Sequence, residues 1–130
     1  MDNLTHTLYG LALAKAGLER TSRHATSAIL IGANLPDIDL ATIWGGQINY
    51  LRYHRGVTHS LFGIAIESVL LSLFFMSFEK PETPWKRLLL FFWLFLASLI
   101  GAGSHLFLDY TNSYGIRPFL PFRSEWYSLD

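Results

Sequence analysis

Four short elements carry side chains able to hold a metal ion: Thr5-His6, Leu35-Pro36-Asp37-Ile38-Asp39, His54-Arg55-Gly56-Val57-Thr58-His59-Ser60, and Ser104-His105 followed by Asp109. In the last element, four residues of helix bring His105 and Asp109 to one face, so both can reach the same ion. In the second, a proline ends a helix and two carboxylates follow, spaced to chelate one ion or bridge two. The third places two imidazoles at the entry to a long apolar helix, with Arg55 between them and Thr58 positioned to cap that helix. There is no cysteine, so any metal must bind through His, Asp and Glu. Imidazole suits zinc and carboxylate suits harder ions. A mixed set therefore fits zinc, manganese or iron better than calcium or magnesium.

These groups must be brought together by apolar helices. Hydrophobic residues make up 51% of the 130-residue chain and charged residues only 15%, an excess that calls for a lipid solvent and for no more than one domain. Two runs, 61–78 and 88–108, each come near the roughly 20 apolar residues that a membrane span requires. Between them, the polar turn 79–87 holds Pro81 and Pro84, which predicts an antiparallel hairpin. A shorter hairpin is expected from 4–18 and 25–35, with Glu19, Arg20, Arg23 and His24 in its turn and Pro36 ending its second arm. Gly10 with Ala14, and Ala97 with Gly101, have the four-residue spacing of small side chains that lets membrane helices approach closely.

The expected fold is thus all-α: a helical membrane protein of two antiparallel hairpins. Its turns carry Arg20, Arg23, Lys80, Lys86 and Arg87, while His6, Asp37, Asp39, His54, His59, His105 and Asp109 gather at the open ends. The segments 37–57 and 110–130 read as loops and interfacial helices, where Trp44, Tyr50, Tyr53, Trp126 and Tyr127 could form an aromatic belt. Glu67, inside an apolar run, should be protonated, face the bundle interior or pair with Ser98 or Ser104. Acidic and basic residues balance at ten each, which argues against a nucleic-acid partner. The N-terminus lacks a basic stretch before an apolar core and reads as mature protein.

If the cluster holds two or more ions, they would clamp the attacking and leaving oxygens of a phosphoester and activate a water. His54, His59 and Asp39 are then the catalytic candidates, acting through that water with no protein nucleophile. Arg52, Arg55 and Arg117 are the candidates for gripping phosphate. Two rival classes are a metal transporter or sensor, which would want ligands at mid-depth, and a non-catalytic structural protein whose polar cluster caps a bundle.

At these same residues the chain resembles the YdjM-like family of bacterial inner-membrane proteins described as metal-dependent hydrolases, with order and spacing matching over nearly the whole length. The resemblance implies a helical membrane bundle, a divalent metal on the matching His and Asp residues, hydrolysis of a phosphoester or phospholipid headgroup, and a more distant likeness to zinc-dependent phospholipase C. It implies a multi-pass protein of the inner membrane. Many relatives continue into further hydrophobic segments beyond the Arg117-Pro118-Phe119 region, so this chain reads as a short or truncated member. The basic residues of the turns put those turns on the cytoplasmic side and the metal site on the outer face.

Overall fold

The computed structural model describes residues 2–48 and 55–129, and its regular structure there is helical. Helix α1 (Asn3–Lys15) starts behind Asp2, whose carboxylate accepts a hydrogen bond from the Thr5 N–H at 2.7 Å. At Gly17 a φ of 125° turns the chain away from it. Helix α2 (Ala25–Asn34) runs into a 3-10 segment, Leu35–Gly45, because Pro36 has no N–H with which to continue an α-helix. A 3-10 turn, Val57–His59, leads into α3 (Leu61–Met76). Helix α4 (Pro84–Tyr110) opens on a proline, behind Thr83, which accepts from the Lys86 N–H at 3.2 Å.

One capping expectation needs correction. Thr58 does not cap α3, because it lies within the Val57–His59 turn that precedes the helix. Ser60 takes that role, its Oγ accepting from the Gly63 N–H at 2.9 Å.

In space α2 packs chiefly on α4, with α1 against α2 and α3 against α4. Both hairpins are antiparallel. The start of α1 meets the end of α2 where Thr7 and Asn34 exchange side-chain hydrogen bonds. The start of α3 packs on the end of α4 through Ile64, Ala102 and Leu106, and its end packs on Leu94 through Leu71 and Phe75. At the turn end His24 lies 3.2 Å from Glu79, joining the two hairpin turns.

Small residues make the central α2/α4 contact intimate. A Cβ added to Gly32 would fall 2.6 Å from the Ser98 carbonyl oxygen, and one added to Gly101 would collide with the Ile29 carbonyl. A Cβ on Gly10 would fall 3.1 Å from the Ala33 side chain, a tight but less severe approach of α1 to α2. Gly10 and Gly101, one from each of the pairs Gly10/Ala14 and Ala97/Gly101, thus lie where helices approach closely.

The two long apolar runs differ from expectation in length. With 27 residues, α4 is about 40 Å long and apolar enough to cross a membrane. By contrast α3 has 16 residues, about 24 Å, since the polar turn after Met76 stops it short. Only α4 meets the length of a span among the described residues. Exposed apolar side chains nevertheless cover α3, among them Phe62, Leu70 and Phe74. Of the expected aromatic belt, Trp44 and Trp126 are exposed, while Tyr50 and Tyr53 lie outside the described residues.

Beyond α4 the chain returns over the open end of the bundle. An isolated antiparallel bridge pairs Ile116 with Tyr127, and the Leu61 N–H donates to the Pro118 carbonyl at 2.9 Å.

Candidate metal centre

Asp37, on the 3-10 segment after α2, His59, on the turn before α3, and His105, near the end of α4, meet in the buried space between these elements. Their ligand atoms form a triangle. His59 Nε2 is 3.3 Å from Asp37 Oδ1, His105 Nε2 is 3.5 Å from the same oxygen, and the two nitrogens are 3.1 Å apart. Asp109 Oδ2 stands 3.6 Å from each of the same two nitrogens. Ligand atoms 2.0–2.1 Å from a tetrahedral centre are separated by about 3.3 Å. The spacings in this cluster therefore suit a small divalent ion.

The outer hydrogen bonds fix which ring nitrogens face inward. His105 Nδ1 lies 2.7 Å from the Ala33 carbonyl oxygen, which can only accept, so Nδ1 carries the hydrogen. His59 Nδ1 lies 3.3 Å from Asp39 Oδ2 and 3.2 Å from Thr58 Oγ1. If His59 Nδ1 likewise donates to Asp39, the two neutral rings aim Nε2 lone pairs at each other. A cation between them relieves that repulsion, as does a proton. Carboxylate or carbonyl support behind a ligating imidazole is the usual outer shell of a metal site.

The same contacts move the titrations. Burial alone would lower the His59 pKa, but hydrogen bonds to Asp37 and Asp39 outweigh it and pull it up to about 9. Burial would raise Asp37, yet the hydrogen bonds from His105 and His59 hold its carboxyl well below the usual range.

His6 adds the clearest sign of a missing partner. It is fully buried, stacks on His105 with ring centroids 3.7 Å apart, and has its Nε2 3.7 Å from Asp109 Oδ1. Neither ring nitrogen has a hydrogen-bond partner among the described residues. Leaving a buried polar group unsatisfied costs about 1–3 kcal/mol, so a ligand role accounts for what is otherwise a defect. His6, His105 and Asp109 are thus a second group able to hold an ion, sharing His105 with the first.

Arg55 closes the cluster on the loop side. It is buried, with Nη2 3.2 Å from Asp109 Oδ2, Nη1 donating to the Gly115 carbonyl at 2.7 Å, and its guanidinium over the Tyr114 ring. Its backbone N–H donates to Asp39 Oδ2 at 2.8 Å, although its φ of 55° is in the left-handed region that costs a non-glycine residue about 1–3 kcal/mol. Contacts at both ends of the residue hold that conformation.

The family model for the YdjM inner membrane protein matches residues 1–130. The chain belongs to the YdjM family. Among curated proteins it is 32% identical over 137 residues to the uncharacterized protein YfhP of Bacillus subtilis (strain 168). That match takes in 99% of this chain and 40% of the relative, so the chain spans well under half of that protein's length. No solved structure matches it. The family carries the assignment to the inner membrane, and the length and composition of α4 agree with it.

In this YdjM-family chain the candidate ligands and the remaining candidates from sequence fall into four sets. His6, Asp37, His59, His105 and Asp109 are brought together. Asp39 lies behind the His59 ring, against Nδ1 and away from the triangle. Arg117 is set back, with its guanidinium over Trp126 and one Nη 3.5 Å from the Arg55 carbonyl. His54 and Arg52 lie outside the described residues. The Ala33 and Gly115 carbonyls and Tyr114 were not legible beforehand, since no side-chain motif announces a backbone acceptor. Thr58 was noticed, but as a helix cap.

Proposed function

We propose that this protein is a membrane-bound metal-dependent hydrolase acting on a phosphoester. The observation that carries the reading is the His59–His105–Asp37 triangle, whose two Nε2 atoms face each other at 3.1 Å with both Nδ1 atoms held from behind. His6, Asp37, His59, His105 and Asp109 would hold the ion or ions, with His54 as a further ligand candidate. Three imidazoles with two carboxylates suit zinc first, and manganese or iron next. When bound, such an ion supplies Lewis acidity toward a phosphoryl oxygen and an activated water.

The chain's own groups do the rest. Asp39 and Thr58 orient His59 from behind, and the Ala33 carbonyl orients His105. Arg55 balances the Asp109 carboxylate and keeps its buried Nε without a partner among the described residues, leaving a donor for a phosphate oxygen. Arg117 and Arg52 remain candidates, from the sequence, for further phosphate contacts. Burial of the cluster excludes bulk water and strengthens each of these interactions. We read the protein as crossing the membrane more than once, with the α3/α4 hairpin in the bilayer and the metal site on the outer face.

The experiment is metal content per chain, by mass spectrometry after detergent purification, for wild type, His59→Ala and Asp109→Ala. Alongside it runs hydrolysis of a phosphodiester panel. At least stoichiometric metal, lost in both variants together with turnover, supports the reading. Full metal content in either variant sinks it.

A further inference from the structure

A shallow apolar groove on the exposed side of α2 and the 3-10 segment after it shares Asp37 with the metal centre. Leu30, Ile31, Asn34, Leu35, Asp37 and Ile38 line a shallow space of about 380 Å³ that is open along most of its length. Its polarity is confined to one end. The Asn34 amide is already taken up, its nitrogen 2.9 Å from the Leu30 carbonyl and 3.0 Å from Thr7 Oγ1. Asp37 is the one charged residue of the lining, and its Oδ1 belongs to the triangle with His59 and His105. The groove therefore joins an apolar body to a head position at the candidate metal centre.

The rim is apolar too. Ile31 is 41% exposed and Ile38 60% exposed, and the 3-10 segment continues with exposed Leu40, Ile43 and Trp44. Exposed apolar side chains of this kind are unfavourable in water by about 25 cal/mol per Å² and mark contact with a membrane, a protein or an apolar ligand. It lies beside the end of α4 that carries His105 and Asp109, the end of the one described helix long enough to span a bilayer. A bilayer crossed by α4 supplies lipid as a neighbour at this position.

We propose that the groove takes one acyl chain of a bilayer lipid and presents that lipid's phosphoester head to the metal centre. This rests on the metal-centre reading above, because without a bound cation Asp37 would repel a phosphate. A soluble phosphoester would fill only the head position and leave the apolar lining uncovered. A lipid satisfies both ends, which identifies the substrate class as amphiphilic.

The test uses the full chain purified in detergent and loaded with zinc, and compares binding of dioctanoyl phosphatidic acid with binding of glycerol 3-phosphate, which shares the head but has no chains. Zinc content is measured on every sample. Ile31→Trp should fill the groove from its exposed lip, and Ile38→Gln should make that lip polar; neither residue is in the metal cluster. The expected result is phosphatidic acid binding at least about tenfold tighter than glycerol 3-phosphate, with each variant losing about tenfold for the lipid alone while zinc content stays at the wild-type level; tenfold corresponds to ~1.4 kcal/mol. Equal binding of the two phosphates by zinc-loaded protein, or lipid binding unchanged in both variants, overturns the groove assignment and leaves the metal reading standing. A chain that takes up no zinc and binds neither phosphate overturns both.

Discussion

His59 Nε2 and His105 Nε2 face each other at 3.1 Å, each ring held from behind by an acceptor at its Nδ1. A cation bound between them needs both Nε2 lone pairs, so metal binding and the protonation of His59 compete. The His59 pKa is raised from 6.5 to about 9. In the metal-free protein the stabilisation from charged His59 is complete below pH 6.5 and disappears as pH rises through about 9. Metal affinity should run the other way, rising across the same window with release of a proton. Calorimetric titration with zinc in buffers of different ionisation enthalpy, at several pH values, checks this. PH-independent affinity would rule the competition out.

Asp39 sits behind His59 rather than within the triangle. Asp39→Asn should keep the fold and weaken metal binding by about 10–100-fold, the usual effect of losing an outer-shell partner. His59→Ala should abolish binding at that group. A chelator competition series on the two variants separates an orienting role from direct ligation.

Arg55 spans two acceptors, Asp109 Oδ2 and the Gly115 carbonyl, through a planar fork. Lysine is a point charge and cannot hold both in that geometry. Arg55→Lys should therefore retain metal but raise KM for a phosphoester by roughly tenfold or more, the loss of a charge-assisted bond of about 1.5–3 kcal/mol. Steady-state kinetics beside metal analysis would show it, and an unchanged KM would remove Arg55 from substrate binding.

The centre depends on close approach of α2 and α4. Gly32→Val puts a side chain against the Ser98 carbonyl and should destabilise by about 1–3 kcal/mol, with metal loss because His105 is tied to Ala33. Gly103→Ala is the control: nothing lies within 4 Å of its added Cβ, and alanine favours helix by ~1 kcal/mol over glycine. Thermal melting in detergent should separate the two variants.

The residue types and their spacing along each helix were fixed before any folding. His105 and Asp109 share a helix face because a helix repeats every 3.6 residues, and Pro36 and Pro84 mark helix boundaries because proline lacks an N–H. The apolar runs made two hairpins the natural arrangement, and that arrangement gathered the ligands at one end. The helix lengths were less legible: α3 is cut to 16 residues by a turn at each end, where composition alone suggested a span.

Only the tertiary structure decided what each side chain does there. His105 meets the Ala33 carbonyl across 72 residues of chain, a contact that exists because glycines let α2 and α4 touch, and it meets His59 across 46. Those long-range contacts set which nitrogen of each ring faces inward, place Asp39 behind His59, put Arg55 on Asp109, and leave His6 without a hydrogen-bond partner among the described residues. Local pattern specifies periodicity and breaks in the chain. The direction of a ring nitrogen depends on partners that arrive from elsewhere in the fold.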